Sequence, residues 1–529
     1  MSETNYINLL PHNRQIKVKS GTNLIDALVE HSIFLRSDCG GRGKCGKCRV
    51  NIIASDGSST SVTSCTTDVT KDLKIEIPES SLLSPHIISK PPLTFPVLFE
   101  QRPADPGLNN SYGIATDLGT TTIAIYLCNT ASNTVVSSLA VKNPQALYGD
   151  DVMSRIGAIG QRDGNLKHLQ KLAVKAMEWG IEELLSRHDL DHKEITEIVT
   201  VGNPTMIHIL AGVDPQSIGT SPYSPVFKEA RSMRAGDAGF NLGDASLQFL
   251  PQVSGFIGGD ILSAALAVDL ENQPEGTLLI DLGTNGELML KGKEKLFTTS
   301  CATGPAFEGA SISCGMQAIP GAINKVIIKN TEDFPDYTMI NPRKSPGIKP
   351  FGICGTGVIS GVAELFRSRI IGSNGAFKKD TAIKPLERDS EGKLRYLLVS
   401  ENSAQNGSSI FISQKDIRSV QLGKGALITG IEFLLRAGGY EKPGKIIIAG
   451  AFGSFIAKED MMTLSMIPAI NSDKIEIAGN AAGAGAVMVV CSKSFLKKTI
   501  EMADRITTID LACDKEFQTL FVQNLSFPL

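Results

Sequence analysis

Three cysteines, Cys39, Cys45 and Cys48, fall within ten residues with Gly40, Gly41, Gly43 and Gly46 between them, and Cys65 follows. The spacing is C-x5-C-x2-C-x16-C. Thiolates packed this closely, on a backbone that glycine leaves free to bend, can wrap a compact inorganic core while the freed amides donate to its sulfurs. Zinc also takes four soft ligands, but usually from two C-x2-4-C knuckles. Only Cys45 and Cys48 form such a pair, so the spacing favours an iron–sulfur cluster. Arg42, Lys44, Lys47 and Arg49 surround the motif. Two readings of them stay open: attraction of an acidic redox partner, or an ordinary solvated loop.

A second chemistry is written twice. Residues 114–125 read Ile-Ala-Thr-Asp-Leu-Gly-Thr-Thr-Thr-Ile-Ala-Ile, and residues 278–290 read Leu-Leu-Ile-Asp-Leu-Gly-Thr-Asn-Gly-Glu-Leu-Met-Leu. Each is an apolar run, a polar turn and a second apolar run, which is a hairpin pattern. The turns offer backbone amides and hydroxyls to phosphate oxygens, from Gly119, Thr120 and Thr121 in one copy and Gly283, Thr284 and Asn285 in the other. Asp117 and Asp281 supply the hard oxygens that the metal ion accompanying a polyphosphate needs, through water. One Asp-Leu-Gly arises easily by chance; two in register suggest a duplicated fold with a polyphosphate held between the copies. A third glycine-rich segment, Gly450-Ala-Phe-Gly453-Ser454, ends the run Lys445-Ile-Ile-Ile-Ala and would let backbone approach a planar ligand.

The elements that must position these residues are legible in outline. Short strands are expected over 6–10, 14–18, 49–53 and 73–77, with one helix over 23–31. Residues 78–106 hold seven of the 25 prolines, a semi-stiff linker of roughly 3 Å per residue. Beyond it, a third strand over 134–141 follows the first hairpin, then helices over 150–159 and 166–187, a strand over 195–201 and a helix over 205–210. His208 in that last helix stands among apolar neighbours and reads as a core residue rather than a ligand. In the second half, helices are expected over 261–268, just after Cys354-Gly-Thr-Gly357, over 414–437 and from 480 onward, the last rich in alanine and glycine. The Gly-Thr-Gly helix start offers an anion site. Cys301, Cys314 and Cys354 match no closed metal motif and read as small buried thiols. The domain reading is 1–80 for the cysteine-bearing part, 81–111 for the linker, 112–255 for the first hairpin's domain and 256–529 for the second.

The totals fit this plan. A 529-residue chain with 42% hydrophobic and 20% charged residues has room for several cores. A net charge of −3 gives no basic field for nucleic acid. No apolar run reaches the roughly 18 residues that cross a bilayer, and the start lacks a signal-peptide pattern, so no membrane association and a cytoplasmic location are expected. Cysteines there serve metal or redox work rather than disulfides.

The two Asp-Leu-Gly-Thr motifs and the Gly-Ala-Phe-Gly-Ser segment resemble the phosphate 1, phosphate 2 and adenosine elements of the ASKHA superfamily of sugar kinases, heat-shock chaperones and actin. The cysteine segment resembles plant-type and adrenodoxin-type [2Fe–2S] ferredoxins, differing in the short interval to Cys65. Together, along essentially the whole chain, they resemble the ATP-dependent reductive activators of corrinoid proteins. That resemblance implies an α/β multidomain protein, with an N-terminal β-grasp ferredoxin domain and a duplicated RNase H-like, actin-like ATPase region. It implies Cys39, Cys45, Cys48 and Cys65 as cluster ligands, ATP and Mg2+ as further cofactors, and Asp117 and Asp281 as the catalytic carboxylates. Gly450, Gly453 and Ser454 would lie at the adenosine and Lys424 at the ribose or adenine. The implied activity is reduction of cob(II)alamin to cob(I)alamin in a methyltransferase or O-demethylase system. The implied partners are a corrinoid protein, a low-potential donor such as ferredoxin or flavodoxin, and a second copy of the chain in a homodimer. A rival is an ASKHA small-molecule kinase with an iron–sulfur redox sensor, and another is a redox-responsive partner-binding protein that uses ATP only as a clamp.

Overall fold

A computed structural model describes residues 4–11, 14–31, 33–35, 43, 46, 48–78, 81–82, 112–149, 151–304, 307, 312–316, 318, 320–340, 347–378, 383–405, 407–450, 456–511 and 514–528. By their internal contacts these fall into two compact units. One runs to Gly259 and takes in Ala486–Leu496; the other holds Asp260–Gly485 and the chain from Lys497 onward.

The first unit begins with a five-stranded sheet in the order Arg14–Lys19, Thr4–Leu10, Leu73–Glu76, Arg49–Ile53 and Ser59–Thr63. Its first and last long strands pair in parallel and the rest antiparallel. Alternation puts Ile7, Ile16, Val18, Val50 and Ile75 on the inner face, all buried. The helix Leu24–Glu30 covers that face with Leu24, Ala27 and Leu28, and the Asn23 side chain accepts from the Ile25 amide to start it. A helix laid across a mixed five-stranded sheet is the β-grasp arrangement.

Each Asp-Leu-Gly-Thr hairpin forms the centre of a six-stranded sheet. In the first unit Tyr112–Leu118 pairs antiparallel with Thr122–Asn129, which pairs antiparallel with Thr134–Lys142. On its other side Tyr112–Leu118 pairs in parallel with Ile195–Val201, and that strand in parallel with Ser246–Phe249. The second unit repeats the plan: Thr277–Leu282 with Gly286–Lys291 and Leu296–Cys301 antiparallel, then Lys445–Ala449 and Ile475–Gly479 parallel. The shared strand order establishes the duplication that the motifs suggest, and central strands buried on both faces explain their continuous Ile, Leu and Ala runs.

Helices cover the sheets where the apolar spacing places them. Asn165–Arg187 buries Leu169, Leu172, Met177, Ile181 and Leu184, and Gln414–Gly438 starts at a capping box between Ser413 and Asp416. The small-residue helix Ala481–Cys491 passes close to Gly259–Ala267: a Cβ on Gly485 would lie 2.1 Å from the Ser263 carbonyl oxygen. Two three-stranded sheets, built from Ala322–Ile327, Asp336–Met339 and Gly352–Ile353 and from Leu386–Arg388, Leu394–Val399 and Ile410–Ser413, have no counterpart in the sequence reading. Their strands are only two to six residues long, too short for alternation to stand out.

Candidate functional site: a paired-thiol centre and two phosphate-type turns

Cys48 and Cys65 come together at the open end of the hairpin Arg49–Ile53/Ser59–Thr63, one before its first strand and one after its second, with their sulfurs 3.3 Å apart. Pairing of Arg49 with Thr63 brings the flanking residues into register, and the Ser64 amide donates to the Cys48 carbonyl at 3.0 Å. The contact with Cys65 is the largest influence on the Cys48 thiol, holding it down to about 5 against the opposing effect of burial. A thiol so inclined to ionise is a good ligand for a metal. Gly43 and Gly46 adopt φ of +70° and +65°, a left-handed backbone that glycine takes without strain. The donor set therefore fits a thiolate-held cluster. Cys39 and Cys45 lie outside the described residues.

Asp117 is the half-buried residue of an otherwise buried segment at the end of Tyr112–Leu118, and Asp281 holds the equivalent place in Thr277–Leu282. In both, the carboxylate stands where the strand stops and the turn begins.

The first turn is clamped by residues that the motif does not contain. Asn143 donates from Nδ2 to the Gly119 carbonyl at 2.9 Å, and from its backbone amide to the Thr121 carbonyl at 2.8 Å. Arg155, fully buried, donates from Nη2 to the Thr120 carbonyl at 2.6 Å, from Nε to Gly149 and from Nη1 to the Gln145 side chain. Asn203 caps the helix Pro204–Leu210 and donates to the Thr120 hydroxyl at 3.1 Å. With their carbonyls held from behind, the turn's amides are left oriented by the fold rather than by chance. The second turn is tighter, with the Gly283 amide on the Asn285 carbonyl at 3.0 Å and the Thr303 hydroxyl on the Thr284 carbonyl at 3.2 Å. Glu287 pairs across the hairpin with Asp281 and is buried. A carboxylate in the apolar run of residues 286–290 is the sequence signal for it; for Asn143, Arg155 and Asn203 the sequence carries none beyond Asn-Pro turn chemistry.

Gly450 follows Lys445–Ala449 directly beside the second turn, since Ala449 pairs with Asp281. Gly453 and Ser454 lie outside the described residues. Lys424 is 1% exposed, donates to the Ser526 carbonyl and lies 5.8 Å from the centre of the Phe527 ring. Burial pulls its ammonium down to about 8.

Other candidates resolve as structure. His208 is fully buried, its Nδ1 donating to the Pro204 carbonyl at 2.7 Å and its Nε2 accepting from the Val226 amide at 3.0 Å. That pattern requires the neutral ring, in keeping with the downward shift that burial causes. Cys301 and Cys354 are buried and Cys314 half-buried, and among the described residues no group of three His, Cys, Asp or Glu side chains could hold a metal. Gly355, Thr356 and Gly357 form the buried first turn of Gly355–Arg367, where a Cβ on Gly357 would lie 2.2 Å from the Ile323 carbonyl. Gly357 therefore serves close packing against Ile323.

A duplicated RNase H-like region bearing two phosphate-type turns, behind a β-grasp domain with converging thiols, defines an actin-like ATPase with an iron–sulfur domain. Family models match it in three consecutive pieces: a 2Fe-2S iron–sulfur cluster binding domain over residues 7–74, the RACo middle region over 112–273, and the C-terminal ASKHA domain of RACo over 275–529. The chain is 32% identical over 426 residues to the corrinoid activation enzyme RamQ of Eubacterium limosum, covering 79% of this chain and 70% of that one. It is 27% identical over 446 residues, 79% of this chain and 77% of the relative, to the Co(II) methylated amine-specific corrinoid protein reductase of Methanosarcina barkeri. A solved structure of a reductive activator for corrinoid, iron–sulfur protein superposes with a TM-score of 0.72 at 28% identity, covering 99% of this chain and 98% of that chain. The chain belongs to the family of ATP-dependent reductive activators of corrinoid proteins. Among the described residues no helix is long and apolar enough to cross a membrane.

Proposed function

We propose that this protein reactivates a corrinoid protein of a methyl-transfer system by returning cob(II)alamin to cob(I)alamin with one electron from its own cluster, at the expense of ATP. The observation that carries the reading is the occurrence, in one chain, of the Cys48–Cys65 sulfur pair and two Asp-Leu-Gly-Thr hairpins in sheets that share the order of five of their six strands. The names of the relatives supply the class of acceptor. When bound, the cluster supplies a single low-potential electron, with Cys39, Cys45, Cys48 and Cys65 as its ligands.

The chain's own residues do the rest. The turns at Gly119–Thr121 and Gly283–Asn285 bind phosphate oxygens, and Asp117 and Asp281 hold Mg2+ through water. Gly450, Gly453 and Ser454 lie along the adenosine. Plant-type [2Fe–2S] centres lie near about −400 mV, and each ~59 mV uphill for one electron is a tenfold penalty. A gap of roughly 150 mV costs about 3.5 kcal/mol on that scale. ATP overcomes it by favouring a state with a different affinity for the acceptor, with no phosphorylated product required. A low-potential ferredoxin or flavodoxin refills the cluster.

The test is ATP hydrolysis by the reduced holoprotein with and without a corrinoid protein, followed alongside the cob(I)alamin absorbance. Stimulated hydrolysis with growth of that band is expected, and Cys65→Ser should abolish the band and the visible cluster spectrum. A phosphorylated metabolite without cobalt reduction would establish the kinase instead.

A further inference from the structure

An unbroken series of contacts runs from the first Asp-Leu-Gly-Thr turn to the cluster ligand Cys65, all of it inside one compact unit. It begins at Asn143, which holds the carbonyls of both Gly119 and Thr121 and so moves with the turn as a whole. The Asn143 Oδ1 accepts from the Gln145 amide at 3.0 Å and caps the short helix Pro144–Tyr148. The other end of that helix belongs to the ferredoxin side: Leu147 is 3% exposed and shares one apolar cluster with Ile25, Leu28 and Val29, and Tyr148 packs against the same cluster.

Two close pairs of polar side chains flank this apolar contact. His168 Nε2 lies 3.2 Å from Asp26 Oδ1, and Lys171 Nζ lies 3.2 Å from Glu30 Oε1. Asp26 lies in the first turn of the helix Leu24–Glu30 and Glu30 ends it, and the N-terminal end, next to Asp26, reaches the loop that carries Cys65. There Asn23 Nδ2 donates to the Cys65 carbonyl at 3.2 Å, and the Leu24 amide donates to the Thr67 carbonyl at 2.7 Å.

We infer that Asn143, Tyr148 and the Asp26–His168 pair are positioning residues that couple nucleotide occupancy of the Asp117 turn to the surroundings of Cys65. The inference rests on the proposed roles of that turn and that cysteine. Phosphate oxygens arriving at the turn's amides re-aim its peptide planes, and Asn143 is bonded to two of them. A short helix shifts as a body, so the displacement reaches Tyr148 and presses on the Leu24–Glu30 helix. Dipoles around a ligating sulfur, with its hydrogen bonds and solvent exposure, set a cluster's potential. Rotation of the Cys65 peptide is therefore a means by which nucleotide adjusts the electron it is about to send. Linkage makes the effect reciprocal: reduction of the cluster changes nucleotide affinity by the same factor by which nucleotide changes the reduction equilibrium.

The experiment uses the full-length holoprotein under anaerobic conditions, with a non-hydrolysable ATP analogue and Mg2+. Two quantities are read: the cluster's midpoint potential with and without analogue, and the analogue's Kd for oxidised and reduced protein. A matched pair is expected in the wild type, about 59 mV for each tenfold difference in Kd. Asp26→Asn and Tyr148→Ala should keep the cluster spectrum and bind the analogue, yet lose both shifts. Retention of the full shifts in these variants, or bound analogue with no shift in the wild type, overturns the inference. Failure of the analogue to bind at all instead removes the nucleotide reading on which it rests, a result visible before any potential is measured.

Discussion

A Cβ atom on Gly450 would lie 2.7 Å from Asp281 Oδ1 and 2.3 Å from the Leu282 carbonyl oxygen. The glycine that ends Lys445–Ala449 thus touches the carboxylate and backbone of the second phosphate-type turn. Its φ of +93° is itself costly for any residue with a side chain, and its amide is committed to the Gly479 carbonyl at 2.9 Å. Gly450→Ala is expected to cost about 2–4 kcal/mol through strain and displacement of the turn, and to weaken ATP binding by about tenfold or more. Gly444→Ala, preceding the same strand, meets nothing nearer than 3.4 Å and should be close to neutral. Urea denaturation and nucleotide titration of the pair separate the two.

Arg155 presents the second prediction. Its guanidinium makes hydrogen bonds to Thr120, Gly149 and Gln145, and another to the Met206 sulfur, from a fully buried position. Lysine keeps the charge but not the fork, so Arg155→Lys strands two or more buried acceptors. A loss of about 2–4 kcal/mol is expected, with weaker nucleotide binding because the Thr120 carbonyl is no longer held. Unchanged affinity in a variant that is still folded would deny Arg155 any part in shaping the turn.

Lys424 offers a test in which pH gives the sign. Its pKa is lowered from 10.5 to about 8 by burial. Below about 8 the folded state carries the full cost of a buried charge; between about 8 and 10.5 it sheds the proton before the unfolded chain does, so the unfolded state binds more protons and stability rises with pH. Lys424→Met should accordingly stabilise the protein by about 1–2 kcal/mol near neutral pH, after the lost bond to Ser526 is counted. The gain should vanish as pH approaches about 10.5. Because its ammonium is directed to Ser526 and Phe527, nucleotide affinity should stay within about twofold. A larger loss would establish the contact with ribose or adenine that the family resemblance implies for Lys424.

How much of this was legible beforehand depends on how local the cause is. The cysteine spacing, the two hairpins and the long amphipathic helices follow from neighbours in sequence. The helix over 23–31 appears as Leu24–Glu30 capped by Asn23, and the one over 414–437 as Gln414–Gly438. Cys354-Gly-Thr-Gly looked like an anion site from its composition. The fold uses Gly357 against Ile323 because a neighbouring strand, invisible in the local sequence, crosses there.

The sequence alone determined the chemistry. Four cysteines at cluster spacing and a repeated strand–Asp-Leu-Gly-Thr–strand point to the ligands and the phosphate-type turns, since both are local patterns, 27 residues from Cys39 to Cys65 and 12 or 13 in each hairpin. Only the tertiary structure decided what holds those stretches in place. Asn143, Arg155 and Asn203 clamp the first turn from other elements, Gly450 meets Asp281 across a parallel strand pair, and Asn23 reaches the carbonyl of Cys65 from 42 residues away. Such contacts arise from strand order and register, which the hydrophobic pattern constrains but does not spell out.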